Sequence, residues 1–230
     1  MLAFGTAAAT ALPGRAEVMK VVGTATATDG NGAIKSITQG MVLGAGDTIT
    51  SGANSVVDLN LGINGDYLRI DPDTSLKIDN LDIANVAQRT VTTQLNVNRG
   101  AITGNVVNKL SVASKYEIKS ASGVAGIRGT VYSMQTDATG KITRIVCTSG
   151  TVTFVDRGVT ITISAANGAK AYTPPPAGTT PTHAMVGAPT PAEAEMTATI
   201  GNSLQSPSGG QTVVGGTTIV NNPSDVSVSQ

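Results

Sequence analysis

The side chains best suited to chemistry are four aspartates in one short segment. Asp71, Asp73, Asp79 and Asp82 fall within twelve residues. Carboxylate oxygens are ligands that Ca²⁺ prefers, and calcium stabilises many proteins outside the cell. The spacing is not that of an EF-hand, because the sixth position has no glycine and no glutamate closes the segment. Two interpretations stay open, a calcium site and a set of turn-capping aspartates on a solvated edge.

Catalytic groups of other kinds are scarce. The chain has one cysteine, Cys147, and one histidine, His183, which excludes zinc sites built from several Cys and His ligands. His183 lies in a Pro/Thr-rich stretch with no nucleophile at a fixed spacing, so no Ser–His–Asp site is predicted. Residues 123–129 are glycine-rich but lack the Gly-Lys-Ser/Thr of a phosphate loop. We therefore predict a non-enzymatic protein without a cofactor.

The single thiol, Cys147, lies at the end of the strand-like segment Ile142–Cys147. No lysine, histidine or helix N-terminus flanks Cys147 to lower its pKa. The pattern predicts a small buried apolar side chain, with an intermolecular disulfide or a reactive thiol as the alternative.

Composition excludes several classes of partner. The 230 residues carry 15 Lys+Arg and 15 Asp+Glu, so the net charge is zero and nothing attracts nucleic acid or an anionic membrane. Aromatic residues make up 3% of the chain and tryptophan is absent. Stacking platforms for bases or sugars need several aromatic faces, so no nucleic-acid or sugar partner is predicted.

Alternating apolar and polar residues dominate residues 17–172. Val57, Leu59 and Leu61 are one example, and Val159, Ile161 and Ile163 are another. A period of two with one polar face is typical of half-buried strands, and Gly, Asn and Asp break the runs about every ten residues. We predict an all-β fold with one compact domain, arranged as a roll, a sandwich or a short solenoid. Residues 151–155 and 159–164 predict a hairpin with a three-residue loop, 156–158.

The two ends of the chain differ from this body. Residues 1–16 are mildly apolar and end in small residues, which favours the remnant of a signal peptide and hence export; a frayed terminus is the alternative. No stretch has the roughly 18 uninterrupted apolar residues of a membrane span. Residues 173–188 are a Pro/Thr linker.

Residues 189–205 predict a short amphipathic helix. Thr190 and Glu193 form a capping box around Pro191. Met196, Ile200 and Leu204 follow at a spacing of four and form an apolar stripe. Such a short helix is not stable alone in water, so its stripe must cover either its own domain or a neighbouring molecule.

Residues 206–230 are a Gly/Ser linker and a β-like tail. Its apolar residues are Val213, Val214, Ile219 and Val220. They predict either a disordered terminus or strands that add to the sheet edge of another subunit.

Two sequence blocks carry a family resemblance. The first, residues 39–55, contains Gly46, Asp47, Gly52 and Ser55 in the order Gly-Asp, apolar, Thr-Ser-Gly, small-Ser. The second, residues 122–133, contains Arg128-Gly129-Thr130 before an aromatic residue. With the strand–Asn-Gly–strand–Pro segment between them, these blocks resemble the FecR domain family over roughly residues 18–155.

The motif residues also have a physical interpretation. Gly129 predicts a bend that needs positive φ or close backbone approach. Arg128 offers five donors in a fixed fork, which suits carbonyls or a carboxylate. Asp47 can accept hydrogen bonds from nearby turn amides. The same residues equally suit a role that only holds the fold together.

The resemblance implies a location more than an activity. The best-known members of the family relay a signal from outside the inner membrane to a sigma factor through a transmembrane helix, which this sequence does not show. We expect an extracytoplasmic location: periplasm, cell surface or extracellular. The predicted function is a structural or self-assembling envelope subunit, whose partner is itself or another envelope protein. The alternative is a periplasmic ligand-binding or signal-relay module that works with a membrane-anchored partner.

Overall fold

A computed structural model of the chain describes residues 11–106 and 110–204, and the backbone of 212–214 and 217–219. Eighteen strands and one α-helix make up this described part of the chain. The strands are β1 Leu12–Pro13, β2 Ala16–Val22, β3 Ala25–Thr28, β4 Ile34–Ser36, β5 Val42–Leu43, β6 Thr48–Ser51, β7 Val56–Gly62, β8 Asp66–Ile70, β9 Ser75–Asn85, β10 Thr90–Asn105, β11 Lys115–Ser120, β12 Gly123–Thr136, β13 Ile142–Asp156, β14 Val159–Ser164, β15 Lys170–Tyr172, β16 Val186–Gly187, β17 Thr212–Val214 and β18 Thr217–Ile219. The helix is α1, Pro191–Ser203, and His183–Met185 forms a 3-10 turn. The predicted all-β fold is confirmed.

The long strand β10 organises the sheet formed by β1 to β16. Its first half pairs with β9 and with the parallel strand β11, and its second half pairs with β8 and β12. The change of neighbours falls at Gly100, whose φ is 94° and whose hydrogen side packs against Thr74. Because a side chain at Gly100 would collide with Thr74, glycine is what lets the sheet bend here.

The bent sheet encloses one hydrophobic core. Inward-facing side chains from nearly all of its strands join a single cluster, which includes Leu59, Leu68, Ile118 and Phe154. Burying each such side chain contributes roughly 1.5–3 kcal/mol. Most of the outward residues between them are polar, which is the alternation that the sequence shows.

The hairpin of β13 and β14 is tighter than predicted. Asp156 pairs with Val159, so the loop contains only Arg157 and Gly158, with φ of 48° and 79°. Two residues with positive φ make a turn whose twist matches that of the strands. The predicted three-residue loop is wrong because Asp156 belongs to the strand, where its buried carboxylate accepts a hydrogen bond from the Tyr172 hydroxyl at 2.8 Å.

The fold extends beyond the predicted limits of 17 and 172. Strand β1 pairs with β9, and Ala16 at the start of β2 is fully buried, so the predicted leader overlaps the fold over residues 12–16. On the other side, β16 pairs with β15 inside the predicted linker 173–188. The Arg157 guanidinium also donates to carbonyls of that segment, at Pro175, Pro176 and Thr179.

Helix α1 begins at the predicted capping box, with Thr190 and Glu193 bonded to each other's backbone amides. It packs on β10, β12 and β13. Glu193 also binds the Arg144 guanidinium through two hydrogen bonds of 2.8 Å, which lower the pKa of Glu193 to about 2. The helix therefore covers its own domain.

The face through which α1 packs differs from the predicted stripe. Thr197, Gly201 and Leu204 are buried, whereas Met196 is 50% exposed and Ile200 is only partly covered. The small residues let the helix backbone approach the sheet, where the Gly201 carbonyl accepts a hydrogen bond from the Asn105 side chain at 2.7 Å. Of the predicted interaction residues here, Leu204 is buried, Ile200 is partly covered and Met196 is half exposed. Among the described residues, no helix is long and apolar enough to cross a membrane.

Candidate functional site

In the first motif block, residues 46–55 consist of strand β6 and the turns on either side of it, and we call this part the first motif turn. Gly46, with φ of 98°, donates its amide to the Ile78 carbonyl at 2.8 Å. The Asp47 carboxylate accepts from the Gly44 amide at 2.8 Å, and the Asp47 carbonyl accepts from the Ile78 amide. These bonds attach the turn to β9, so Gly46 and Asp47 hold the fold.

The second half of this turn also forms hydrogen bonds within the protein. The Gly52 amide donates to the Thr24 carbonyl, and the Ser55 hydroxyl accepts from the Thr24 amide at 2.9 Å. Ser51, which is 1% exposed, donates its hydroxyl to the Asp71 carbonyl at 2.6 Å and accepts from the Thr74 amide at 3.0 Å. The first motif turn therefore joins three segments of the chain and uses its serine hydroxyls in internal hydrogen bonds.

The second motif block forms a bulge at residues 128–130, which we call the second motif turn. Arg128 pairs with Thr151 and Val131 with Ser149, so β12 has one more residue than β13 in this interval. Gly129 has φ of 56°, and Gly150 on β13 lies against its backbone. The Thr130 hydroxyl bridges the bulge by accepting from the Arg128 amide at 3.2 Å and donating to the Thr151 carbonyl at 3.0 Å.

This bulge turns the Arg128 side chain outwards into a groove. The Arg128 groove has a volume of about 580 Å³ and runs between β12, the start of the segment after β10, and the end of α1. Its apolar wall is formed by Val106, Leu110, Val112 and Val131, and its polar residues are Asn105, Arg128, Thr130, Ser149 and Asn202. Bulges often re-aim a side chain at the rim of a binding site.

Several polar groups of the groove have spare hydrogen-bonding capacity. Arg128 uses one of its donors, Nη2, on the Val112 carbonyl at 3.2 Å. Among the described residues Arg128 forms no ion pair, as is also true of Arg15 and Arg99, whereas Arg69, Arg89, Arg144 and Arg157 all do. The side chains of Ser149 and Asn202 are exposed and make no hydrogen bond within the described part of the chain. The groove thus offers one cation and two neutral polar groups beside an apolar wall.

A second, shallower groove of about 270 Å³ lies on the other side of Arg128. It contains both charges of an ion pair, Lys115 and Glu117, whose atoms are 3.0 Å apart. Glu117 also accepts from the Gln94 amide group at 3.0 Å. The charges of Lys115 and Glu117 therefore compensate each other, whereas the charge of Arg128 has no such partner among the described residues.

The four aspartates are not gathered into one cluster. Within residues 11–106 and 110–204, no three acidic, histidine or cysteine side chains lie together in an arrangement that could hold a metal. Asp79 lies between Lys77 and Lys119, and Asp82 accepts from the Asn80 side chain. Asp73 adopts a positive φ of 55° in the turn before β9. The sequence places them close together, but strand β9 directs Asp79 and Asp82 away from the turn.

Asp71, in the turn between β8 and β9, is partly buried. Burial raises the pKa of its carboxyl to about 6; Arg69 opposes the shift and Asp58 adds to it. Arg69 is already committed to Asp58, with distances of 2.7 and 2.9 Å. Asp71 is therefore an acid with a raised pKa that shares the charge of Arg69 with Asp58.

The lone cysteine and histidine are both structural. Cys147 is fully buried and burial raises the pKa of its thiol to about 11, which agrees with the predicted apolar role. His183 accepts a hydrogen bond from the Thr162 amide through Nε2 at 3.4 Å. This contact covers the free edge of β14.

The tail contains the remaining predicted interaction residues. Val213 and Val214 fall in β17 and Ile219 in β18, which pair with each other as a two-stranded sheet. Val220 lies outside the described residues.

The sequence did not reveal a buried pair of tyrosines next to the Arg128 region. The hydroxyls of Tyr116 and Tyr132 are 3.3 Å apart, and burial raises the pKa of Tyr116 to about 12. Each ring lies on a glycine: Gly65 under Tyr116 and Gly104 under Tyr132. Glycines in strand-like segments indicate such close approaches, but they do not say which ring fills the space.

Comparison with known protein families supports the resemblance seen in the motifs. Residues 47–153 match the family described as FecR protein. The match runs from Asp47 in the first motif turn to β13, and it includes the second motif turn. Residues 47–153 of this chain are therefore a FecR domain. Searches of curated proteins and of solved structures gave no match.

Proposed function

We propose that this FecR-domain protein is a non-enzymatic, exported subunit that assembles with copies of itself through its tail. The observation that carries the proposal is the hairpin of β17 and β18. Within the described residues these strands pair only with each other, and each contains three residues. A two-stranded sheet of this size is marginal alone in water and gains stability by joining a larger sheet.

The body offers an edge of matching length. Strand β4, Ile34–Ser36, pairs with β3 alone, and all three of its residues are exposed. Ile34 is 69% exposed, so a further strand here would bury apolar surface as well as pair the backbone. Lys35 is typical of edges protected against unspecific pairing, which favours a dedicated partner segment.

The chemistry of the body supports a role without catalysis. The lone thiol is buried, and the lone histidine accepts a backbone hydrogen bond. The hydroxyls of the first motif turn are bonded internally. Export agrees with the usual setting of FecR domains. No feature of the described residues favours a signal relay.

Light scattering of the full chain over a range of concentrations tests the assembly. We expect a mass that rises with concentration, and a monomer when Val213→Pro and Ile219→Pro remove backbone donors from both tail strands. Ile34→Thr is expected to weaken assembly, whereas Val86→Thr, at an exposed apolar residue between β9 and β10, leaves it unchanged. A wild-type chain that stays monomeric at every concentration contradicts the proposal.

A further inference from the structure

We infer that the Arg128 groove binds the free C-terminal carboxylate of a peptide whose last side chain is apolar. The groove shares no described residue with the two tail strands or with β4, and the inference does not depend on assembly. Its volume of about 580 Å³ lies within the range of roughly 300–1,000 Å³ of small ligand sites. The argument rests on the charge of Arg128, on the wall next to it and on the bulge that holds both.

The charge of Arg128 is the first step. An arginine presents five donors in a fixed fork, and here a single donor is used, on the Val112 carbonyl. With no acidic partner among the described residues, the guanidinium can form the paired hydrogen bonds that a carboxylate accepts. The neighbouring carboxylate of Glu117 does not compete, because Lys115 and Gln94 hold it.

The wall of the groove limits the class of ligand. Val112 is 90% exposed and Val131 is partly exposed, so an apolar side chain placed on them would leave water. Ser149 and Asn202 can serve the amide group next to a terminal carboxylate, since an amide offers one donor and one acceptor. A C-terminal residue carries the carboxylate, the amide and the side chain within a few ångströms, which matches the composition of the groove.

The backbone explains why the site is held in place. The Thr130 hydroxyl fixes the bulge from both sides, and Gly150 lets β13 approach the Gly129 carbonyl. Helix α1 closes one side of the groove through Asn202, and the neighbouring Gly201 receives the Asn105 hydrogen bond. Arg128, Val131 and Ser149 lie on the paired strands β12 and β13, and groups held on rigid elements lose little entropy on binding.

Calorimetric titration of the full chain tests the inference. The probes are acetyl-Ala-Val-Leu with a free carboxylate and the same peptide with a terminal carboxamide. We expect the acid to bind at least about tenfold more tightly than the amide, because charge-assisted hydrogen bonds are lost in the amide. The affinity for the acid is expected to fall as salt is added.

Two arginine variants separate the site from general electrostatics. Arg128→Gln is expected to remove the preference for the acid, and Arg128→Lys to retain part of it. Arg99→Gln is the matched control, because Arg99 also precedes a glycine with positive φ, is exposed, and lies outside the groove. The inference is overturned if the acid does not bind at millimolar concentration, if acid and amide bind equally, or if Arg99→Gln has the same effect as Arg128→Gln.

Discussion

The two motif turns belong to the same family signature, but their polar side chains have different hydrogen-bond partners. In the first motif turn, the Asp47 carboxylate and the Ser51 and Ser55 hydroxyls all bond to other parts of the fold. In the second, Thr130 does the same, whereas the guanidinium of Arg128 keeps most of its donors exposed. The difference separates a motif that only builds the fold from one that also presents a charge.

This difference follows from backbone geometry. The first turn sits where three segments meet, so its aspartate and serine side chains have partners within reach. The second is a bulge in the middle of a strand pair, and the extra residue lets Arg128 and Gly129 face outwards while Thr130 faces inwards. A bulge of this kind changes the direction of a side chain without breaking the strand on either side.

The largest effect on stability is expected from Gly150→Ala, which disturbs the second motif turn from the neighbouring strand β13. A Cβ at Gly150 would lie 2.0 Å from the Gly129 carbonyl oxygen, and φ is 76°. Backbone must move to relieve this contact, so we expect a loss of about 3 kcal/mol or more in the free energy of unfolding. Urea denaturation measures it.

Gly129→Ala serves as the control for that variant. Its φ of 56° is also left-handed, but a Cβ there meets nothing within 4 Å. The expected cost is about 1 kcal/mol, from the backbone conformation alone. Equal losses in the two variants would mean that the close approach of β13 does not hold the bulge.

Ser51→Ala tests the first motif turn. The variant leaves the Thr74 amide and the Asp71 carbonyl without the buried hydroxyl that both now use. We expect a loss of about 2 kcal/mol in the free energy of unfolding, because unpaired buried polar groups keep their desolvation cost. Thermal unfolding followed by circular dichroism measures it.

A second hydroxyl provides the comparison for Ser51. Thr139→Ala removes an exposed hydroxyl that bonds only to Asp137 in the turn between β12 and β13. Its expected effect is below about 0.5 kcal/mol. If Ser51→Ala cost no more than this, the claim that the first motif turn joins the surrounding segments would be wrong.

Asp71, whose carbonyl accepts a hydrogen bond from Ser51, makes the stability of the first motif turn and its surroundings depend on pH. Its pKa rises from 3.8 to about 6 on folding, chiefly through burial. The folded protein therefore binds this proton more tightly, so stability from Asp71 is full below pH 3.8 and is lost as pH rises towards about 6. We expect Asp71→Asn to stabilise the protein by about 1 kcal/mol at pH 7 and by nothing near pH 3, as measured by urea denaturation at both values. A stabilisation equal at both values would exclude titration of Asp71 as its cause.

How far the sequence predicts this molecule depends on the range of the contacts involved. Alternation identified the strands because a buried face imposes a period of two, and the capping box located the start of α1 because its bonds are local. The packing face of α1 was missed, since a spacing of four favoured Met196 while the contact depends on Gly201 and on Asn105, which is far away in sequence.

The site shows the same limit. Arg128, Gly129 and Thr130 were recognisable from their motif, and a bend at Gly129 followed from its residue type. The groove was not predictable, because Val112, Ser149 and Asn202 come from separate segments. The four aspartates were close in sequence and suggested calcium, but the direction of each side chain depends on where β9 begins.

The smallest effect on stability is expected from Arg128→Gln, and this variant tests the comparison most directly. An exposed guanidinium with one hydrogen bond, to the Val112 carbonyl, contributes little, so the free energy of unfolding should change by less than about 0.5 kcal/mol. Arg69→Gln is the contrasting variant, because Asp58 is 6% exposed and would lose both of its hydrogen bonds from Arg69. Leaving that carboxylate without its cation should cost about 3 kcal/mol. Parallel urea denaturation of the two variants decides the point: equal losses would make Arg128 as structural as Arg69 and would remove the distinction between the two motif turns.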